Sequence, residues 1–335
     1  MDGMKRMLAR WAEERRLAAD GRKMGSRAWA DKLHGWFDDV SIFQVLPGGR
    51  MLLKELGVEV PGSAAEWMVA RNHAYPVCRQ LLRGGGRFVE EGDGFFLEWD
   101  KWPVPVRFRL EADTWALLRD IALLDGYRFT PPADGEGTLV FDIGMNVGFA
   151  SLALAAMCPG AEVYGFEPFP KTFERARRNF QDNPDLARRI HPLCVALSDH
   201  EGEEEWNFDA ADAAMSSQFA DPIFGGKKDG VKVRLESAAA AMGAIADRHP
   251  GWPCIVKMDC EGGEYAIFED WAASGLDRRI DLVMMEYHEI AGHTLHDVER
   301  WFREHGFCAL GRPLAEKRTV GMLVAMPWRG RRGAS

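Results

Sequence analysis

The chain has 335 residues, 47% of them apolar, and a formal net charge of −9. Its length allows one enlarged α/β domain or a core with an appendage, and the acidic balance argues against nucleic acid or any other polyanionic partner, which needs a basic surface. The longest mainly apolar run, Val147–Cys158, is too short for a membrane span, Met1–Arg16 lacks the apolar core of a signal peptide, and six scattered cysteines without a C-x-x-C pair read as thiols of a reducing cytoplasm.

Residues 1–35 carry nine Lys/Arg against five Asp/Glu and read as one or two polar helices with a patchy apolar stripe at Leu8, Trp11 and Leu17. From residue 36 to about 133 the pattern is mixed. VSIFQVL is a short element, PGSAAEWMVARNHAYPVCRQLL is helical, and GGGRFVE and GFFLEWD read as paired strands. RFRLEADTWALLRDIALLDGY follows as a helix, with Leu117, Leu118, Ile121 and Leu124 at helical spacing. Pro131–Gly137 (PPADGEG) is the clearest punctuation in the chain.

From Thr138 onward strands alternate with helices. Strands are expected at TLVFDIG, AEVYGFEP, IHPLCVALSD, CIVKMDC and DLVMMEYH. Helices are expected after the glycine turn and at KTFERARRNFQDN, ESAAAAMGAIADR, GEYAIFEDWAAS and LHDVERWFREHG. FCALGR and GMLVAMP lack an intervening helix and predict an antiparallel hairpin. Such alternation implies a parallel sheet covered on both faces, with ligands at the carboxyl ends of its strands.

Four segments carry candidate chemistry. In LVFDIGMNVGFASLALAAM a strand ends at Asp142, a turn holds Gly144, Asn146 and Gly148, and a helix opens directly behind. That order brings backbone and helix-terminal N–H groups to a nucleotide, although glycines serving only tight packing would read the same way. Glu167 ends the next strand 25 residues after Asp142, where a carboxylate can accept both ribose hydroxyls. Ser198 and Asp199 end the third strand, placed for an adenine edge or for plain turn chemistry. In IVKMDCEGGEYAIF, Lys257 and Asp259 share a strand face, and Asp259, Glu261 and Glu264 gather around a Gly-Gly turn. These carboxylates suit the sulfonium end of a donor or an acceptor; Glu264 also suits plain charge at a helix start.

Together these segments resemble the FkbM-type methyltransferase family over about Arg128–Pro327. The motifs are D-x-G-x-N-x-G, a GFEP strand end, an A-L-S-D strand end, the pair Ser216 and Ser217, K-x-D-x-E-G-x-E, and a strand ending in E-Y-H. Met145 departs from the small residue usual there. The resemblance implies a Rossmann-like class I fold: a seven-stranded, mostly parallel sheet with an antiparallel terminal hairpin over residues 128–330, an α+β extension at 1–127 and a disordered tail at 331–335. It implies S-adenosyl-L-methionine as donor, held by Asp142, Gly144, Asn146, Gly148, Glu167, Ser198, Asp199 and Asp259. It also implies methylation of a hydroxyl on a sugar or secondary metabolite, with Ser216, Ser217 and Glu286 facing that acceptor.

A hydroxyl acceptor must lose its proton, and His288, Asp259 and Glu261 are the catalytic candidates. Histidine is the better-matched base near neutral pH, with a structural, hydrogen-bonded role as the alternative. Glu286, His288, His293 and His296 offer metal-type ligand atoms, but H-x4-H and H-x2-H cannot share one helical face, so no metal is expected. The loop Trp206–Lys228, with Trp206, Phe208, Phe219 and Phe224, reads as a lid or a hydrophobic tether. The rival readings are a nicotinamide-dependent oxidoreductase, an RNA ribose methyltransferase using Lys257, Asp259 and Glu286, and a non-catalytic scaffold. For residues 1–127 a homodimer interface, a substrate cap and a docking element all stay open.

Overall fold

The computed structural model describes residues 43–47, 50–62, 64, 74–92, 94–111, 114–118, 136–208, 229–290, 292–314 and 317–328. The chain divides into two compact units, Met1–Asn72 and His73–Ser335. In the first, β1 (Phe43–Val45), β2 (Arg50–Leu53) and β3 (Val58–Pro61) form an antiparallel meander, with Met51, Leu53 and Val60 buried. The helices expected over residues 1–35 lie outside the described residues, as does the tail at 331–335.

The second unit opens with helix α1 (Ala74–Arg83) and an antiparallel sheet of β4 (Arg87–Glu91), β5 (Gly94–Trp99) and β6 (Val106–Arg109), followed by the single turn α2 (Trp115–Leu118). The expected pairing of β4 with β5 is present. The helix expected from Arg107 onward starts later, at Trp115–Leu118: residues 106–109 are a strand, because Val106 and Phe108 are buried while Arg107 and Arg109 lie half-buried on the other face. That is period 2, and it wins over the helical spacing further on. Ile121 and Leu124 lie outside the described residues.

The remaining elements are β7 (Glu136–Ile143), α3 (Phe149–Met157), β8 (Gly160–Phe166), α4 (Pro170–Gln181), α5 (Pro184–Ala187), β9 (Ile190–Leu193), β10 (Ala196–Ser198), β11 (Gly202–Phe208), β12 (Asp229–Ser237), α6 (Ala238–Ala246), β13 (Cys254–Met258), α7 (Glu264–Ser274), β14 (Leu282–His288), α8 (Leu295–Glu304), β15 (Phe307–Leu314) and β16 (Lys317–Pro327). One seven-stranded sheet runs β9-β8-β7-β13-β14-β16-β15. Its first five strands are parallel, while β16 and β15 are antiparallel and form the expected terminal hairpin. This is the Rossmann-like methyltransferase architecture. The strand order reverses between β7 and β13, which opens a crevice at their carboxyl ends.

Local chemistry explains these elements. All five residues of β13 are buried, as a strand covered by helices on both faces requires. α3 buries eight of its nine residues and reads as apolar all round. α4 starts with Pro170 in its first turn and buries Thr172, Ala176, Asn179 and Phe180 along one stripe. Thr294 and Asp297 form a capping box at the start of α8, and Gly275, left-handed at φ 75°, ends α7. Trp271, Tyr287, Phe268 and Phe302 are among the largest fully buried side chains, each contributing roughly 1.5–3 kcal/mol. The small β4–β6 sheet docks on this core: the Asn183 side chain accepts from the Arg107 N–H at 2.8 Å and donates to its carbonyl at 2.7 Å, and Phe108 packs edge-on against Phe149.

Two further expectations change. IHPLCVALSD is not one strand. Pro192 cannot donate a ladder hydrogen bond, β9 ends at Leu193 on the sheet edge, and β10 leaves to pair in parallel with β12. The expected loop from Trp206 begins later, because Gly202–Phe208 pairs antiparallel with β12 and Trp206 is buried there against Phe169. Among the described residues no helix is long and apolar enough to cross a membrane.

Gly144 is the tightest backbone approach in the crevice. At φ 75° a Cβ there would lie 1.7 Å from the Asp259 carbonyl oxygen. Gly144→Ala is expected to cost about 2–4 kcal/mol in urea unfolding, whereas Gly243→Ala, with nothing within 4 Å of its new methyl group, should gain about 0.5–1 kcal/mol.

Candidate active site

The glycine turn between β7 and α3 is built from beneath. Asp142, next to last in β7, is fully buried, its Oδ1 3.1 Å from the Lys257 ammonium and its Oδ2 accepting from the Ser151 hydroxyl at 2.6 Å. Lys257, 3% exposed, also donates to the Gly144 carbonyl at 2.8 Å. Burial works against the Lys257 charge, but Asp142, with Asp259, outweighs it and holds the ammonium above the usual lysine range. The ladder register pairs Lys257 with Asp142, so both side chains leave the same face of adjacent strands. The sequence pattern had aligned Lys257 with Asp259; it gave no sign of Ser151.

Met145 turns under the bend. It is 1% exposed, and a Cβ on Gly165 would meet its sulfur at 2.3 Å, so that glycine makes the room. Asn146, at φ 53°, donates its N–H to Glu167 Oε2 at 3.0 Å, and its own side chain accepts from the Val147 N–H at 2.7 Å. Gly148, at φ 81°, starts α3 without a side-chain cap and lies against Phe180 and Ala176 of α4. Glu167 is 5% exposed, and its Oε1 accepts from the Phe169 N–H at 3.0 Å. Burial pushes its carboxyl up to about 7, against the pull of those two amides.

Ser198 and Asp199 stand at the end of β10, carried there with the small sheet. The buried Ser198 hydroxyl donates to Asp199 Oδ1 at 3.2 Å, and the same oxygen meets His200 Nδ1 at 2.6 Å. That His200 hydrogen bond holds the exposed Asp199 carboxyl below the usual range. Ser216 and Ser217, like Phe219 and Phe224, lie outside the described residues.

Across the crevice, the ends of β13 and β14 bring Asp259, Glu286 and His288 together, with one ligand atom from each lying within 4.8 Å of the others. The parallel register pairs Met258 with Met285, so Asp259 follows directly beside Glu286. Glu264 is no ordinary helix-start charge. Fully buried, it accepts from the backbone N–H groups of Gly262 (2.8 Å) and His288 (3.0 Å), and its Oε1 is 3.0 Å from His288 Nδ1. His288 Nε2 faces Glu261 at 3.5 Å and Glu286 at 3.8 Å. Burial opposes the His288 charge, but the Glu264 hydrogen bond and the charges of Glu264, Glu261 and Asp259 win and push the imidazole up to about 10. His293 is elsewhere, stacked on Tyr265 at 3.9 Å, and His296 lies exposed on α8. Glu261, at φ 51°, and Asn146 are the non-glycine residues with positive φ among the described residues, one on each side of the crevice.

Residues 142–308 match the family model described as the methyltransferase FkbM domain. This part of the chain belongs to the FkbM methyltransferase family. No curated protein matches the sequence. Among solved structures, a precorrin-6y C5,15-methyltransferase from Geobacter metallireducens is 14% identical, with 61% of this chain and 85% of that chain covered and a TM-score of 0.35. Methyltransferase FkbM from Methylobacillus flagellatus is 15% identical over 57% of this chain and 44% of that chain, with a TM-score of 0.36. An rRNA methylase from Streptococcus thermophilus is 8% identical over 58% and 89%, with a TM-score of 0.33.

Two outcomes follow from the buried charges. Lys257→Met strands Asp142 without its cation and should cost roughly 3–5 kcal/mol, part of which the added change Asp142→Asn recovers in urea unfolding. Glu167 is held above its ordinary 4.5 in the folded chain, at about 7. Stability linked to it is therefore full below about pH 4.5 and falls as pH rises through 7. Glu167→Gln should flatten that slope in pH-dependent unfolding.

Proposed function

We propose that this domain transfers a methyl group from S-adenosylmethionine to a hydroxyl group of a small molecule or carbohydrate. Glu167 supports this most directly. It is a buried carboxylate at the end of the second core strand, steadied by an amide on each oxygen, with lone pairs left for two ribose hydroxyls. The surrounding residues fit the donor: Met145 lies beneath the bend instead of plugging it, and the uncapped α3 N-terminus opens beside it. When bound, S-adenosylmethionine supplies an electrophilic methyl group and leaves as S-adenosylhomocysteine.

The chain's own residues then divide the work. Asp142, Gly144, Asn146 and Gly148 shape the cradle, Glu167 holds the ribose, and Ser198 and Asp199 serve the adenine side. Asp259 and Glu286, with Ser216 and Ser217, orient the acceptor in line with the methyl group, which supplies much of the rate. Both ring nitrogens of His288 face carboxylates, an arrangement that retains its proton. The acceptor's proton therefore goes to a carboxylate, Asp259 or Glu261, and His288 gives up the base role that its residue type suggested. An RNA ribose methyltransferase would need Lys257 at the acceptor, but its ammonium is buried under the glycine turn. For residues 1–127 a substrate cap, a homodimer interface and a docking element are the candidate roles.

S-adenosylhomocysteine, and not NADH, should raise the melting temperature, by an amount equivalent to about 2.7 kcal/mol at a hundredfold excess over Kd. Its affinity in calorimetry should strengthen as pH rises through about 7, where Glu167 ionises, and Glu167→Gln should weaken binding and abolish that dependence. A melting temperature raised by NADH alone, or by neither ligand, would overturn the proposal.

A further inference from the structure

We propose that Asp259, Glu286 and His288 form a site for a divalent cation of the Mn2+ or Zn2+ type on the acceptor side of the crevice. Two carboxylate oxygens and an imidazole nitrogen are a donor set suited to such ions, and here they already lie within 4.8 Å of one another. They come from two neighbouring parallel strands. Glu286 and His288 are two residues apart and share a face of β14, and the register brings Asp259 alongside.

The histidine separates this cluster from an acidic patch. Its side chain is 10% exposed, and the fully buried Glu264 takes its Nδ1 and its backbone N–H. A carboxylate on the far nitrogen is how metal-binding imidazoles are oriented. The near nitrogen, Nε2, is left looking at carboxylates 3.5 and 3.8 Å away, longer than ordinary hydrogen bonds. An ion with bonds of about 2.0–2.2 Å would draw such atoms to roughly 3 Å apart. Glu286 and Glu261 are partly exposed, at 25% and 33%.

Three protein ligands leave coordination positions open. The acceptor class that fits is one with two adjacent oxygens, such as a vicinal diol or a hydroxyl beside a carbonyl. Ion binding releases the Nε2 proton to solvent. With Asp259 engaged, the acceptor's hydroxyl proton passes to the Glu261 carboxylate. The freed oxygen pair forms the new C–O bond, and the electrons of the broken C–S bond stay on sulfur. This role rests on the methyl-transfer reading; ion binding itself does not.

The test is titration of the purified full chain with MnCl2, followed by loss of the free-ion EPR signal, and with ZnCl2 by calorimetry. One ion per chain is expected. Asp259→Asn and Glu286→Gln, both at partly exposed positions, should weaken it at least tenfold, Glu264→Gln by roughly 10–100-fold, and Glu304→Gln not at all. Circular-dichroism melts confirm that each variant is folded, and the two partly exposed variants decide the matter if Glu264→Gln unfolds. No uptake at millimolar ion, or uptake that Asp259→Asn and Glu286→Gln leave unchanged, overturns the site. S-adenosylhomocysteine calorimetry on the same samples keeps the two proposals apart, since donor binding without ion binding sinks only this one.

Discussion

The buried pair between Lys257 and Asp142 is the constraint around which the crevice is arranged. Two charges at 4% and 0% exposure stay in the sheet only because each satisfies the other. Lys257 spends a second hydrogen bond on the Gly144 carbonyl, and Asp142 takes the Ser151 hydroxyl from the first turn of α3. Two central strands, the glycine bend and the helix behind it are thereby locked into one unit. The backbone seals the joint: the Asp259 N–H donates to the Ile143 carbonyl, and Gly144 leaves no room for a methyl group against Asp259. The bend and the Asp259 side of the crevice therefore share a rigid base. That suits a displacement whose rate depends on alignment.

The far wall of the crevice uses the same device, with one cation set among several carboxylates. Beneath the glycine bend a buried lysine answers one carboxylate. At the end of β14 one imidazole answers Glu264 directly and faces Glu261 and Glu286. Glu264 ties the β13–α7 turn to the end of β14 through two backbone amides as well as the ring, so the histidine cannot rotate away without breaking several contacts. Surplus negative charge at that wall draws in protons or cations, and it makes a neutral histidine base hard to maintain. Asn146 and Glu261, with their left-handed backbone, stand on opposite sides of the crevice, where strain is held in place by tight packing.

Much of this was legible in the residues. Apolar runs ending in Asp142, Glu167, Asp259 and His288 mark the carboxyl ends of four core strands, and the glycines at 144 and 148 mark the bend between strand and helix. Where the pattern misled, a nearer signal was weaker than a distant one. Arg107 and Arg109 hid the alternation of β6, and Pro192 split what looked like a single strand. The glutamates at 203–205 masked a strand whose inward residue is Trp206. Met145 looked like a misfit over the donor because its direction depends on Gly165, twenty residues away.

The sequence by itself determined the α/β alternation, the glycine bend and the set of acids and histidine that face the crevice. Strand period, glycine φ freedom and carboxylate chemistry are local properties, written in each residue and its near neighbours. Tertiary structure alone decided the partners: Lys257 with Asp142 instead of an acceptor, Glu264 with His288, and Asp259 beside Glu286. Those pairings follow from strand register across the sheet, and register is fixed by how the whole core packs.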